Sequence, residues 1–490
     1  MDFISQKTSP NSSEIIYIPF WKGKEAKVEE ACDNSSFKNE YNAPIKVGDF
    51  KGKEGEILIL YPSKGIRIGL VGLGEKDKIT TEKLRRIYSN VTKSAINKKI
   101  KEITVLVPTI SHLLEEATIN GISEGLLLAN YHYLLLKNDS IKEEKPTLVQ
   151  VVHLIGASKK QLSLAQKNQV VAQAVYFTRD LVNGNADDVT PQHLCEVAKE
   201  LAKDYPKIKT KILDKKQIEK EKMGLILAVN KGSPRDPALI LMEYRGNPKS
   251  KELTAIVGKG ITFDTGGLNL KPHGSMDTMK CDMGGAGVVF GTMKALASLG
   301  LKVNVIGVVP TTENSIDGNS YKPGDVYKSF LGKTIEIVDT DAEGRLVLAD
   351  ALAYTVQNYK PSQIIDFATL TGAIQIALGS EASGLFSNND ALANSLMRSG
   401  SETFERLWRM PMYEEYRDLL KSDIADMKNV GGRPGGAISA AHFLQEFVNK
   451  TPWAHCDIAA TAFLSEGKRY LPKYATGVGV RLMTDFFENL

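Results

Sequence analysis

Runs rich in β-branched residues alternate with runs of helical period along almost the whole chain, and that alternation limits the folds open to it. In the first third, "IIYIPF", "GEILILY", "IRIGLVGL", "EITVLVP" and "TLVQVVHLI" read as strands. Between them, "TTEKLRRIYSNVTKSAINK" and "ISHLLEEATINGISEGLLLANYHYLLL" carry apolar residues at helical spacing, with Thr80 or Thr81 available to cap the first. Such a pattern predicts an α/β layer with a largely parallel sheet. The same alternation resumes later, where "LTAIVG", "KVNVIGVV", "TIEIVD" and "QIIDFATL" are interleaved with helices such as "GAGVVFGTMKALASLG".

At 490 residues the chain exceeds what one core usually fills. A polar stretch, "KNDSIKEEKP", precedes the last strand of the first third, and "LSLAQKNQVVAQAVYFTRDLVN" beyond it reads as a long amphipathic helix able to join two domains. The expected organisation is an N-terminal α/β domain over residues 1–165 and a larger C-terminal domain over 166–490.

Several function classes lack support. The net charge of +4 is small for this length and does not demand a polyanion, and Lys93, Lys98, Lys99 and Lys101 read as a solvated helix face. Cys32, Cys195, Cys281 and Cys456 contain no CxxC pair, so neither a disulfide framework nor a thiolate zinc site is indicated. The N-terminus lacks a basic region followed by an apolar core, and no apolar run reaches the roughly 18 residues of a membrane span. A cytoplasmic chain is expected. "GLVGLG" lacks GxGxxG spacing, and "GDVYKSFLGKT" has too long a gap between its glycines for a phosphate loop; both read as turns.

Acids collect where strands end. "AIVGKGITFDTGGLNLK" holds Lys259, Asp264 and Lys271; "MDTMKCDMGGAG" holds Asp277 and Asp282; "DTDAEGRLVLADAL" holds Asp339, Asp341, Glu343 and Arg345. The last four recur at every second residue, which on a strand would put them on one face. Like charges so close repel unless a cation lies among them. Oxygen donors without clustered histidines favour Mg²⁺, Mn²⁺ or Zn²⁺, and several converging carboxylates suggest two ions. Any one acid alone is explained as a cap or a surface charge; three clusters at strand-to-loop junctions are not. The pairs Gly266–Gly267 and Gly284–Gly285 would allow positive φ and close backbone approach.

Together these three motifs resemble the leucyl aminopeptidase (cytosol aminopeptidase) family of two-metal exopeptidases. The resemblance is strong over residues 165–490 and looser before, where "IRIGLVGLGEKDKITTEKLRR" is similar to the family's N-terminal domain. It implies two α/β domains, the larger with a mixed central sheet. It implies that Lys259, Asp264, Asp282 and Glu343 hold one ion, and that Asp264, Asp341 (side chain and carbonyl) and Glu343 hold the second. Lys259 could ligate only as the neutral amine. Lys271 would stabilise the oxyanion after attack by an activated water, and Arg345 would hold a bicarbonate that accepts the proton. Met279, Thr369, Leu370 and Gly372 would frame an apolar pocket for leucine-like side chains of peptides with a free N-terminus. Implied too are a homo-hexamer with interior active sites and two ions per subunit, zinc or manganese, with magnesium also suited to the donors.

The chain departs from the family's usual pattern at Asp339 (usually Asn), at Cys456 and Ala460 in "WAHCDIAATA", and in "NGNADD" before Thr190. The Asp339 carboxylate would either add to the metal surroundings or turn toward a basic neighbour. Two other readings stand beside this one. Some bacterial members of the family also bind DNA through the assembled hexamer, against which the near-neutral charge argues. A two-metal phosphatase is disfavoured because no phosphate loop accompanies the acids.

Overall fold

A computed structural model of the protein describes residues 1–10, 12–23, 28–31, 37–62, 65–136 and 145–490. Cys32 and most of the polar stretch "KNDSIKEEKP" lie outside the described residues. The chain divides into two units, one formed by residues 1–173 with 466–473, the other by 174–465 with 474–490. The division falls inside the helix Lys159–Asn183, after Gln173, eight residues beyond the expected boundary, and residues 466–473 return to the first unit. No helix among the described residues is long and apolar enough to cross a membrane.

In the smaller unit the described strands form a seven-stranded sheet. Its order is Asp2–Gln6, Val151–Ile155, Glu102–Leu106, Ile15–Lys22, Arg67–Gly74 and Ile57–Leu60, with Val28–Glu30 also paired to Ile15–Lys22. The first five run parallel, as expected; only the last two pairings are antiparallel. Thr80 caps the helix Thr81–Asn97, its hydroxyl accepting from the Lys83 N–H at 3.2 Å. The next helix, Glu115–Leu128, is shorter than its apolar pattern predicts. Just past its end, the Asn130 side chain both donates to and accepts from the Val149 backbone, which competes with helix continuation. "GLVGLG" is strand, not turn. A Cβ on Gly69 would meet the Tyr17 ring at 2.4 Å, and one on Gly72 the Lys53 carbonyl at 2.0 Å, so these glycines serve close packing. Residues 466–473 join this unit through Tyr470, whose hydroxyl donates to Glu82 at 3.1 Å and whose ring lies 5.9 Å from the buried Arg85 guanidinium.

The larger unit is built on a mixed nine-stranded sheet. Its order is Leu407–Arg409, Ser383–Ser387, Trp453–Asp457, Gln363–Ala368, Thr254–Gly258, Asn304–Asn314, Ala238–Arg245 and Ile208–Leu213, with Gly260–Asp264 also paired to Asn304–Asn314. Strands buried on both faces read as continuous apolar runs, and alternate residues feed two cores. Ile256, Ile365 and Val305 pack on one side; Ala255, Val257, Ile364 and Ile306 pack on the other. Each fully buried Ile or Val contributes roughly 1.5–3 kcal/mol.

Helix Glu343–Tyr359 is apolar nearly all round and is correspondingly buried. Its one interior acid, Asp350, is tied by backbone N–H groups of Leu225 (2.9 Å), Ile226 (3.1 Å) and Phe330 (2.8 Å). Helix Gly284–Leu299 approaches closely because of its small residues: a Cβ on Gly291 would lie 2.1 Å from the Thr178 hydroxyl.

The central sheet opens at Lys259. Thr254–Gly258 pairs with both Gln363–Ala368 and Asn304–Asn314, whereas Gly260–Asp264 stays only on the far end of Asn304–Asn314. The chain therefore leaves one neighbour at Lys259, and the crevice at the carboxyl ends of the parallel strands begins there. "TIEIVD" behaves differently from its expected part in the main alternation. Only Thr334–Glu336 is strand, and it belongs to a separate three-stranded sheet with Val326–Lys328 and Met427–Lys428.

Candidate metal and catalytic centre

Six side chains converge in the crevice, four of them buried and two at its rim. The Lys259 ammonium lies 2.7 Å from Asp282 Oδ2, 2.7 Å from Glu343 Oε1 and 3.1 Å from the Thr369 carbonyl. The Lys271 ammonium lies 2.7 Å from Asp264 Oδ2 and 2.5 Å from Asp341 Oδ1. Oxygens of Asp264, Asp341 and Glu343 all fall within 4.8 Å of one another. Lys259, Asp264, Asp282 and Glu343 are buried, while Asp341 and Lys271 edge the opening.

Local structure explains each position. Lys259 occupies the break between two strands, its N–H donating to the Phe367 carbonyl at 3.0 Å and its carbonyl accepting from Ala286 at 2.8 Å. Its side chain reaches Glu343 only across Gly344, where a Cβ would lie 2.5 Å from Lys259 Cε. Gly266 and Gly267 take φ of +87° and +66°, the turn that brings Lys271 back over Asp264. Of the second pair, Gly285 is the stricter: a Cβ there would stand 2.1 Å from the Phe367 carbonyl, whereas one on Gly284 would press on Ala462 and Thr369 carbons at 3.3 Å.

The stretch 339–345 is not a strand. Asp339, Thr340 and Asp341 form a turn, and Glu343 and Arg345 lie in the first turn of helix Glu343–Tyr359, so strand alternation does not align the four charges. Side chains from elsewhere hold the turn. Asn314 Nδ2 donates to Asp264 Oδ1 (2.8 Å) and to the Thr340 carbonyl (3.1 Å), and the Thr340 hydroxyl donates to the Gly266 carbonyl (2.7 Å). Asn429 donates to the Asp339 carbonyl and accepts from the Val338 N–H, while its own carbonyl accepts from Arg345 Nη1 at 2.8 Å. Asn314 and Asn429 were not singled out from the sequence; isolated asparagines carry no local signal.

The electrostatics of the cluster are compatible with a bound cation. Four carboxylates face two ammonium groups, a formal surplus of two negative charges. Burial, and then the neighbouring Asp264 carboxylate, push Glu343 well above the ordinary carboxylate range, and burial pushes Asp282 up despite Lys259. Burial alone would lower the Lys259 ammonium, but Asp282, Glu343 and Asp264 more than offset it and hold the amine charged. Glu343 Oε2 is buried without a hydrogen-bond partner. An orphaned carboxylate oxygen beside two further oxygen donors fits a hard divalent ion. Burial lowers Arg345 to about 10, still charged at neutral pH, and its Nε also lacks a partner.

The remaining expected residues divide. Thr369 joins the cluster, its hydroxyl donating to Asp282 Oδ1 at 2.7 Å. Met279, at the start of the 3₁₀ turn Met279–Met283, and Leu370 are half-buried, and Gly372 is exposed at the start of helix Gly372–Leu378. Asp277 is exposed in the preceding loop and is not among the residues tied to the cluster. Cys456 and Ala460 are fully buried.

Among the described residues Asp339 forms no salt bridge, although its charge acts on Asp341 and Arg345; its Oδ1 accepts from the Asp341 N–H at 2.8 Å. An asparagine oxygen can accept the same bond. Asp339→Asn is therefore expected to leave Mn²⁺ affinity within a few fold and stability within about 0.5 kcal/mol. Metal titration and thermal melting check this, and a tenfold loss of affinity would bring Asp339 into the centre.

A sheet that opens around carboxylates and lysines, with glycines clearing their approach, defines an α/β protein with a carboxylate-rich centre at its strand ends. Comparison with known proteins narrows the class. The profile of the "Cytosol aminopeptidase family, catalytic domain" matches residues 176–484, and that of the family's N-terminal domain matches residues 18–140. The chain is 54% identical over 481 residues to a probable cytosol aminopeptidase of Protochlamydia amoebophila, covering 98% of this chain and 96% of that protein. It is 45% identical over 486 residues to a probable cytosol aminopeptidase of Chlamydia abortus, covering 97% and 96%. Among solved structures, a tomato leucine aminopeptidase mutant superposes with a TM-score of 0.88 at 32% identity, covering 100% of this chain and 97% of that one. The bottromycin maturation enzyme BotP in complex with Mn superposes at 0.86 and 29% identity, covering 97% and 99%. The chain belongs to the cytosol aminopeptidase family and is an aminopeptidase.

Proposed function

We propose that this aminopeptidase is metal-dependent and releases N-terminal residues, preferentially leucine-like ones, from peptides in the cytoplasm. The observation that carries the reading is the convergence of Asp264, Asp341 and Glu343 around a buried, unpartnered oxygen, with Lys259 and Asp282 on its other side. Lys259, Asp264, Asp282 and Glu343 would hold one ion, and Asp264, Asp341 and Glu343 the second, zinc or manganese. When bound, such a pair supplies Lewis acidity toward a water and toward the scissile carbonyl.

The chain's own groups do the rest. Lys259 must lose its proton to ligate, because an ammonium has no lone pair. Lys271, at the rim, is within reach to donate to the oxyanion as the carbonyl becomes tetrahedral. Arg345 stays charged and so cannot be the base; its unpartnered Nε supports the expected bicarbonate beside it. Met279, Thr369, Leu370 and Gly372 would line the side-chain pocket. By the same resemblance the assembly is a homo-hexamer. Exposed Ile376, Trp408, Tyr413 and Ile424 leave apolar surface in the larger unit for it to cover, and sedimentation well above monomer mass is expected.

The test uses leucine amide, glycine amide and N-acetyl-leucine amide, before and after chelation. Leucine amide should be cleaved fastest and the acetylated substrate not at all, with activity lost on chelation and restored by Mn²⁺ or Zn²⁺. Equal cleavage of the acetylated substrate, or full activity in the stripped protein, would sink the reading.

A further inference from the structure

Asp457 is the last residue of the strand Trp453–Asp457 and has no exposure to solvent. A buried carboxylate persists only where hydrogen bonds compensate its lost hydration. None of the bonds made by Asp457 goes to the carboxylate cluster. Its Oδ1 accepts from the Leu370 N–H at 3.1 Å and the Ala459 N–H at 3.2 Å, and its Oδ2 accepts from the Thr371 hydroxyl at 2.7 Å. The next residue, Ile458, donates its N–H to the Ala368 carbonyl at 2.8 Å. Residues 368 and 370–371 are thus pinned to 457–458 on both sides of Thr369.

Thr369 is the residue left between the pins, and its polar groups turn to one half of the centre. Its carbonyl accepts from Lys259 Nζ at 3.1 Å, and its hydroxyl donates to Asp282 Oδ1 at 2.7 Å. The Asp264–Asp341 side has its own supports, whereas Glu343, 2.7 Å from Lys259, touches both sides. Asp264 and the turn carrying Asp341 are tied by Asn314 and Thr340. Asp282 and the Asp264–Asp341 pair therefore have separate supports.

We propose that Asp457 is a positioning residue that acts through Thr369 to set the Lys259–Asp282 half of the metal centre, without governing the Asp264–Asp341 half. This rests on the two-ion reading above. Groups that orient metal ligands from outside the ligand shell commonly change affinity by about 10–100-fold when removed. Here the loss should fall on one ion alone.

The experiment titrates Mn²⁺ into the full-length, chelator-stripped protein and follows free Mn²⁺ by its EPR signal. Wild type should take up two equivalents. Asp457→Asn keeps the shape but gives a donor where the carboxylate accepted. It should retain one equivalent within about threefold of wild-type affinity and weaken the other by about tenfold or more. Thr371→Val, which removes the hydroxyl's bond to Asp457 together with its cap on the Ile374 N–H, should shift the same equivalent by less, and Thr371→Ser, which keeps both bonds, should restore it. Thermal melting of each variant reports the folded fraction, and the Thr371 pair carries the test if Asp457→Asn does not fold. Parallel weakening of both equivalents, or no change in a folded variant, overturns the proposal while leaving two-ion binding intact. Fewer than two equivalents in wild type, or two retained by Glu343→Ala, overturns the two-ion reading itself.

Discussion

Glu343→Ala is expected to abolish activity together with metal retention. Glu343, like Asp264, is shared by both proposed ion sites, with one oxygen 2.7 Å from Lys259 and the other buried and unpartnered. Its removal takes a donor from each ion at once. The loss of affinity should exceed the roughly 10–100-fold typical of changes outside the ligand shell. Glu343→Gln separates charge from space: it fills the same volume and should still fail, because a neutral amide neither balances a divalent ion nor bridges two. Metal content after gel filtration, measured beside turnover, checks both variants. Near-normal activity with full occupancy in either would remove Glu343 from the centre.

Lys271→Ala should move activity and metal affinity in opposite directions. If Lys271 donates to the developing oxyanion, kcat should fall by about 10²–10³, with KM changed far less. The ammonium also competes with any cation, since it lies 2.7 Å from Asp264 and 2.5 Å from Asp341. Removing it should leave Mn²⁺ bound at least as tightly as in wild type. Lys271→Arg should not restore turnover, because a planar guanidinium cannot present its donors as a compact ammonium does. Weaker metal binding, or small and equal changes in kcat and KM, would make Lys271 a structural ion-pair partner instead.

The parts of the centre that were legible in the sequence lie in local motifs. Lys259, Asp264 and Lys271 occur within thirteen residues, and Asp341, Glu343 and Arg345 within five, so unusual charge density announces them. The parts that were not legible act across long intervals with ordinary residue types. Asn314 bonds to Asp264, fifty positions away, and Asn429 to the Asp339 carbonyl, ninety away. Asp457 sits inside a quoted motif, yet its partners at Leu370 and Thr371 emerge only when two strands pair, with Ala368 opposite Asp457.

The misread stretch at 339–345 has a physical cause. Spacing by two suggested a strand, but an aspartate that accepts from the N–H two residues on favours a turn over an extended chain, and Asp339 does this. The alternation of strands and helices survived as a fold class because it depends on many residues at once. Individual boundaries did not survive as well: one side-chain-to-backbone pair at Asn130 coincides with a helix stopping eight residues short of its apolar pattern.

The return of residues 466–473 to the smaller unit bears on the order in which the protein can be finished during synthesis. Domains generally fold as they leave the ribosome, the N-terminal one first. Here the first unit to emerge lacks a piece until nearly all of the chain has been made. Until Tyr470 arrives, the buried Arg85 lacks that ring, and Glu82 lacks one of its donors. A fragment ending at residue 173 would carry that deficit permanently. A fragment beginning at 174 would carry residues 466–473 with nothing to receive them. The two units can be distinguished along the chain, but neither can be excised from it with a single cut.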